Sequence, residues 1–164
     1  MIHIEDDFLS DFEFNRIQNQ LVYTPDFMWQ FCPVTENIGQ DDDEQDAFQF
    51  VHGMYRNFAP CSQHFQHLES IIKKINPRAL IKIKLNLTTR SESIIQGHYH
   101  NDLPFDHSVA LFYLNTNNGY TPFEDGTKVE SVANRIVFFD GSMKHLGTNC
   151  TDKQRRLVLN INYL

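Results

Sequence analysis

The residues of this chain with the most obvious chemical potential lie in the pentapeptide His98-Tyr99-His100-Asn101-Asp102. In extended backbone, side chains two apart point the same way, so His100 and Asp102 can offer an imidazole nitrogen and a carboxylate oxygen to one metal ion. Taken alone, that spacing says little in a chain with 8 His and 21 acidic residues. His145 adds a second imidazole; it follows the apolar run Arg135 to Asp140 after a short turn, Gly141 to Lys144, and so stands at another strand edge. Two histidines and one carboxylate leave positions open on one side of the metal, the facial arrangement of non-haem iron(II), whereas a structural zinc site is closed by four ligands. His98 is a second candidate for the first ligand. His3, His52, His64, His67 and His107 read as surface or core histidines.

A further charged residue belongs with these three. In the run Arg155 to Tyr163, Leu157, Leu159, Ile161 and Tyr163 form an apolar face, and Arg156, Val158, Asn160 and Asn162 form the opposite, more polar one. A strand with this alternation turns Arg156 into a cavity and Arg155 away from it; a slip of one residue exchanges them. An inward guanidinium requires an anion, and a carboxylate accepting two parallel N–H bonds matches it best. A dicarboxylate cosubstrate is one such anion, and an internal aspartate is another.

Positioning these groups requires strands. Ser10-Asp11-Phe12-Glu13 forms a capping box, and Ile17 and Leu21 continue one face, predicting a first helix to about residue 22. The aromatic runs 28–34 and 48–55 read as strands joined by a solvated acidic loop, Gly39 to Asp46, to which no catalytic role is assigned. Ser62 caps a second helix carrying Phe65, Leu68, Ile71, Ile72 and Ile75, which Asn76-Pro77 ends. From Ala79 the period changes to two, with Ile81, Ile83, Leu85 and Leu87 alternating with Lys82, Lys84 and Asn86. Runs 109–115, 128–132, 135–140 and 155–163 are further strands, separated by turns such as Asn117-Asn118-Gly119 and Asp125-Gly126. Helices followed by many short strands predict an α+β protein on a jelly-roll or barrel-like pair of sheets.

Composition narrows the function classes. A chain of 164 residues with 41% hydrophobic and 21% charged residues is one globular domain, residues 1–164, rather than two. The net charge of -7 and the lack of a long basic run disfavour nucleic acid as a partner. Cys32, Cys61 and Cys150 are odd in number and widely spaced, so neither a disulfide framework nor a zinc ribbon is expected, and a reducing, cytoplasmic setting fits. The acidic start, Met1 to Ser10, does not read as a signal peptide, and no run reaches membrane-spanning length.

Taken together, His100-x-Asp102, distal His145 and Arg156 at the start of the last strand resemble the iron(II)/2-oxoglutarate-dependent dioxygenase superfamily, in its prolyl-4-hydroxylase-like branch. Tyr113-Leu114-Asn115 resembles that branch's Y-L-N strand, and Gly119-x-Thr121-x-Phe123 its G-x-T-x-F segment. The likeness spans residues 79–164, the metal- and cosubstrate-binding core. Residues 1–78 resemble the family only as a support region whose helices buttress the larger sheet. The resemblance implies a double-stranded β-helix, iron on His100, Asp102 and His145, and 2-oxoglutarate whose far carboxylate meets Arg156 with help from Tyr113. Asn86 is a further possible contact. It implies hydroxylation of a peptide, prolyl among them, or of a small molecule, using O2 and releasing succinate and CO2, with ascorbate as a reductant. Asp102 favours hydroxylation over halogenation, because halogenating relatives have a small residue there. Two rivals are a cupin-like metalloprotein using His98, His100 and His145, and a non-catalytic jelly-roll binding module.

Overall fold

The structure is a computed structural model that describes residues 1–33 and 48–164. The acidic segment Gly39 to Asp46 lies outside the described residues, as does the end of the first aromatic run. Strands β1 (His3–Glu5), β2 (Gln30–Cys32), β3 (Gln49–Arg56), β4 (Ala59–Pro60), β5 (Leu80–Thr89), β6 (Ser108–Tyr113), β7 (Tyr120–Pro122), β8 (Lys128–Glu130), β9 (Ile136–Asp140) and β10 (Arg155–Tyr163) accompany helices α1 (Asp11–Leu21) and α2 (Glu69–Ile75).

α1 begins at the predicted capping box. The Ser10 hydroxyl accepts from the Glu13 N–H, and the Glu13 carboxylate accepts from the Ser10 N–H at 3.2 Å. Phe14, Ile17 and Leu21 form its buried stripe. The second helix differs from expectation, since Gln63–Leu68 is a 3-10 turn and α2 begins only at Glu69. At three residues per turn, Phe65 and Leu68 eclipse and share the core-facing side. The Ser62 hydroxyl accepts from the His64 N–H at 3.1 Å and also lies 2.7 Å from His52 Nε2 of β3, which ties the tight segment to the sheet. Asn76, left-handed at φ 52°, closes α2 before Pro77.

The larger sheet is antiparallel in the order β1-β9-β6-β10-β5-β3-β2, with β4 on β3. The smaller one centres on the β7-β8 pair. Residues 145–148 lie beside β7, where Leu146 N–H donates to Pro122 C=O at 3.1 Å and Thr148 N–H to Tyr120 C=O. The chain from Gln96 to His100 bridges these residues from the far side through Gln96↔Thr148 and His100↔His145. Successive segments therefore alternate between sheets: β5 large, 96–100 small, β6 large, β7 and β8 small, β9 large, 145–148 small, β10 large. That winding is a double-stranded β-helix, an α+β jelly roll.

The alternation of β10 decides what goes where. Leu157, Leu159 and Ile161 join Ile83, Leu85, Ala110 and Phe112 in an outer core against Ile17, Leu21, Leu68 and Ile71 of the helical layer. Val158 joins Val109, Leu111, Tyr113, Phe123, Val137 and Phe139 in a second core between the sheets. A bulge at Asn162/Tyr163 pairs Tyr163 with Leu80, so Leu80 rather than Ile81 packs against the outer core. Strands β1 and β7 were not expected from sequence. Both have only three residues, too few to establish a period.

Candidate metal centre

The cavity between the sheets opens over β5 and β10. At one end stand His100, Asp102 and His145, whose ligand atoms all lie within 4.8 Å of one another. The two histidines face each other across the smaller sheet as a bridged pair, each backbone N–H donating to the other's carbonyl at 3.0 and 3.1 Å. Asp102 then reaches between their rings, its two oxygens 4.0 Å from His100 Nε2 and 3.9 Å from His145 Nε2. The two loops that carry these ligands are tied together, because Asn101 Nδ2 donates to Gly141 C=O at 2.9 Å. Gly141 has no alternative, since a Cβ there would fall 2.2 Å from the His107 ring.

Protonation suits a cation. His100 Nδ1 lies 3.1 Å from the His98 carbonyl, which orients the ring with Nε2 facing Asp102. His145 is 4% exposed, and burial pushes its imidazole toward the neutral form, opposed by the nearby Asp102 carboxylate. For Asp102, burial pushes the carboxyl up, but His145, the Asn160 amide, Lys84 and His100 together hold it below the usual carboxylate range. An ionised carboxylate beside neutral imidazoles is the state in which these residues ligate metal.

About 13 Å along β10 from Asn160, four residues at roughly 3.3 Å each, Arg156 forms the other end of the cavity. Its guanidinium is buried, donating from Nε to Ser131 Oγ at 2.7 Å, from Nη2 to Thr121 Oγ1 at 2.9 Å and from Nη1 to Thr148 C=O at 3.2 Å. Every one of these partners is neutral. Among the described residues no carboxylate forms an ion pair with Arg156.

The chosen register holds because Asn115 clasps the backbone on both sides of Arg156. It accepts from Leu157 N–H at 2.9 Å and donates to Arg155 C=O at 2.8 Å. Arg155 does not line the cavity. His98 lines it, but His100 rather than His98 groups with Asp102 and His145. Asn86 also lines it, and its buried Oδ1 lacks a hydrogen-bond partner among the described residues. Tyr113 stands beside Arg156, fully buried, its hydroxyl donating to Thr121 Oγ1 at 2.8 Å and its ring 5.6 Å from the Arg156 guanidinium carbon.

The segment Gly119-x-Thr121-x-Phe123 has a physical logic. Thr121 accepts from Arg156, and Phe123 stacks toward His145 at a ring separation of 6.0 Å. Gly119 leaves room, since a Cβ there would lie 2.6 Å from Arg156 Cδ and 2.3 Å from Asn149 C=O. Gly119→Ala is therefore expected to cost about 1–3 kcal/mol by overpacking, read as a lower midpoint in denaturant unfolding. Sequence reasoning had missed Thr121, Ser131 and Thr148 as partners of Arg156. The inward position of Asn160 follows from the period of two on β10, but its bond to Asp102 is not legible in the sequence.

No protein-family model matches the chain, and no curated protein matches it significantly. Solved structures do. It is similar to a prolyl hydroxylase from Trichoplax adhaerens in complex with a hypoxia inducible factor oxygen degradation domain peptide (TM-score 0.68, 14% identity, covering 99% of this chain and 83% of that one). A second similar structure is the viral collagen prolyl hydroxylase of Paramecium Bursaria Chlorella virus-1 with 2OG (TM-score 0.63, 14% identity, 99% and 96%). A third is an oxidoreductase of the 2OG-Fe(II) oxygenase family from Burkholderia pseudomallei (TM-score 0.66, 13% identity, 99% and 84%). The fold of this chain is that of the prolyl hydroxylases and related 2OG-Fe(II) oxygenases.

Proposed function

We propose that this chain is an iron(II)- and 2-oxoglutarate-dependent dioxygenase that hydroxylates a peptide or small-molecule substrate, releasing succinate and CO2. The observation that carries this reading is Arg156, a buried guanidinium with neutral partners only among the described residues, in the same cavity as a His-His-Asp cluster. A buried cation without a counter-ion is costly, and an anionic ligand offsets that cost.

The residues fit the missing groups. Two imidazoles and one carboxylate would hold iron(II) with positions left open. Arg156, with Thr121 and Ser131 fixing its plane, would take the far carboxylate of 2-oxoglutarate, and Asn86 lines the same space. When bound, iron and 2-oxoglutarate together reduce O2 and supply the oxidant for hydroxylation. The protein holds the ligands apart at fixed distances, presents a pre-aimed guanidinium, and gives the cavity apolar lining from Leu111, Leu146 and Val158. No side chain is needed as a separate general base, and ascorbate would serve only to keep the iron reduced.

A peptide substrate, prolyl side chains among them, is supported by the peptide bound in the Trichoplax structure, and the net charge of -7 weighs against nucleic acid. A cytoplasmic setting, where iron stays ferrous, accords with this chemistry. Incubation with iron(II), ascorbate and 2-oxoglutarate in air, without substrate, is expected to release succinate slowly, and candidate peptides that fit should accelerate it. Metal binding with no succinate under any of these conditions would favour the cupin-like reading, and neither would favour a binding module.

A further inference from the structure

Asp102 is buried to 1% side-chain exposure, and among the described residues only one side chain donates a hydrogen bond to it. Asn160 Nδ2 lies 3.0 Å from one carboxylate oxygen and 3.2 Å from the other. Asn160 is itself 4% exposed, and its Oδ1 accepts from Asn162 Nδ2 at 2.6 Å. Asn162 is fully buried, and its own Oδ1 has no partner among the described residues. Both asparagines sit on the inward face of β10 at the same period of two that aims Arg156.

This chain of amides is directional. A carboxylate only accepts, so the Asn160 amide must turn its NH2 toward Asp102, and the Asn162 donor on Asn160 Oδ1 blocks the opposite flip. Two buried asparagines, one with an orphaned acceptor, are costly in a strand that could carry apolar residues there, and such a cost calls for a purpose. A neutral donor has a further property that a lysine or arginine lacks. It orients a carboxylate while leaving its negative charge to a cation.

We infer that Asn160, held by Asn162, is a positioning residue that fixes the orientation of the Asp102 carboxylate between His100 and His145 and so sets the metal affinity and coordination geometry of the site. The inference rests on the metal reading above but concerns residues outside the ligand set. Supporting partners of metal ligands typically account for about 10–100-fold in affinity.

The test uses cobalt(II) in place of iron, under nitrogen, reading the dissociation constant by calorimetry and the coordination by the visible d–d spectrum. Asn160→Ala is expected to weaken cobalt(II) about 10–100-fold and to alter the d–d bands, neither of which a loss of folding stability alone would do to the folded protein. Asn160→Ser, which keeps a donor, should recover part of the affinity. Asn162→Ala, which leaves Asp102 its donor but frees that amide to turn, should give a smaller loss in the same direction and serves if Asn160→Ala does not fold. Wild-type affinity and spectrum in folded Asn160→Ala, or in Asn162→Ala if the former does not fold, would overturn the inference. If the wild type binds no cobalt(II), the metal reading itself fails, an outcome distinct from the first.

Discussion

Asp102→Asn and His145→Ala should each abolish iron(II) binding and all succinate formation while leaving a folded protein. Asp102 supplies the only negative charge of the ligand set. Replacing it by an amide of equal size removes that charge without leaving a cavity, and Asn160 Nδ2 can still donate to the oxygen of the new side chain. His145 contributes one of two imidazoles and is braced by Phe139 and Phe123, with ring separations of 4.8 and 6.0 Å. Truncating it leaves a small hole beside two aromatic rings, so some loss of stability accompanies the loss of metal. In each case the loss of affinity should exceed the roughly 100-fold that removing a mere supporting partner costs, because a bond to the metal itself is deleted. Calorimetric titration with iron(II) under nitrogen, beside circular dichroism of the metal-free variants, separates loss of ligation from loss of fold.

Replacing Arg156 should dissociate two properties that usually fall together. Among the described residues the buried guanidinium has neutral partners only, and burial pulls it toward deprotonation, opposed by the Tyr113 hydroxyl and Cys150 nearby. In the ligand-free protein it is therefore a costly cation, and Arg156→Met, similar in length and apolar, should melt near or above wild type. The same change removes the anion site. Losing a buried charge-paired contact costs about 2–5 kcal/mol, so 2-oxoglutarate should bind roughly thirty- to several-thousand-fold more weakly, with iron(II) affinity unchanged. Arg156→Lys should recover part of the binding, since it restores charge but not the two-pronged geometry. Arg155→Ala should do little. Thermal melting with and without 2-oxoglutarate checks both halves, since wild type should be raised by the ligand and Arg156→Met should not.

The features that could be read from sequence are those set by local period and local chemistry. The capping box of α1 and the alternation of β10 each need only neighbouring residues, and both appear as expected. From the alternation alone followed the inward Arg156 and the apolar face under the helices. What was missed depends on distant pairing. The 3-10 start of the second helix reflects contacts of Ser62 and His64 with His52 and Phe27, which are far away in sequence. The three-residue strands β1 and β7 are defined by their partners β9 and β8 rather than by any period of their own. Asn160 was seen to face inward, but its partner Asp102 lies 58 residues earlier, and nothing local announces that bond.

The most direct test of an iron centre coupled to 2-oxoglutarate is an anaerobic titration followed in the visible range. Iron(II) with 2-oxoglutarate should give a weak metal-to-ligand charge-transfer band in wild-type protein at one iron per chain. The band should be absent from Asp102→Asn and His145→Ala, and in Arg156→Met it should require far more 2-oxoglutarate. A wild-type protein that binds iron(II) but shows no such band at any 2-oxoglutarate concentration, or a band that survives loss of Asp102 or His145, would contradict the account.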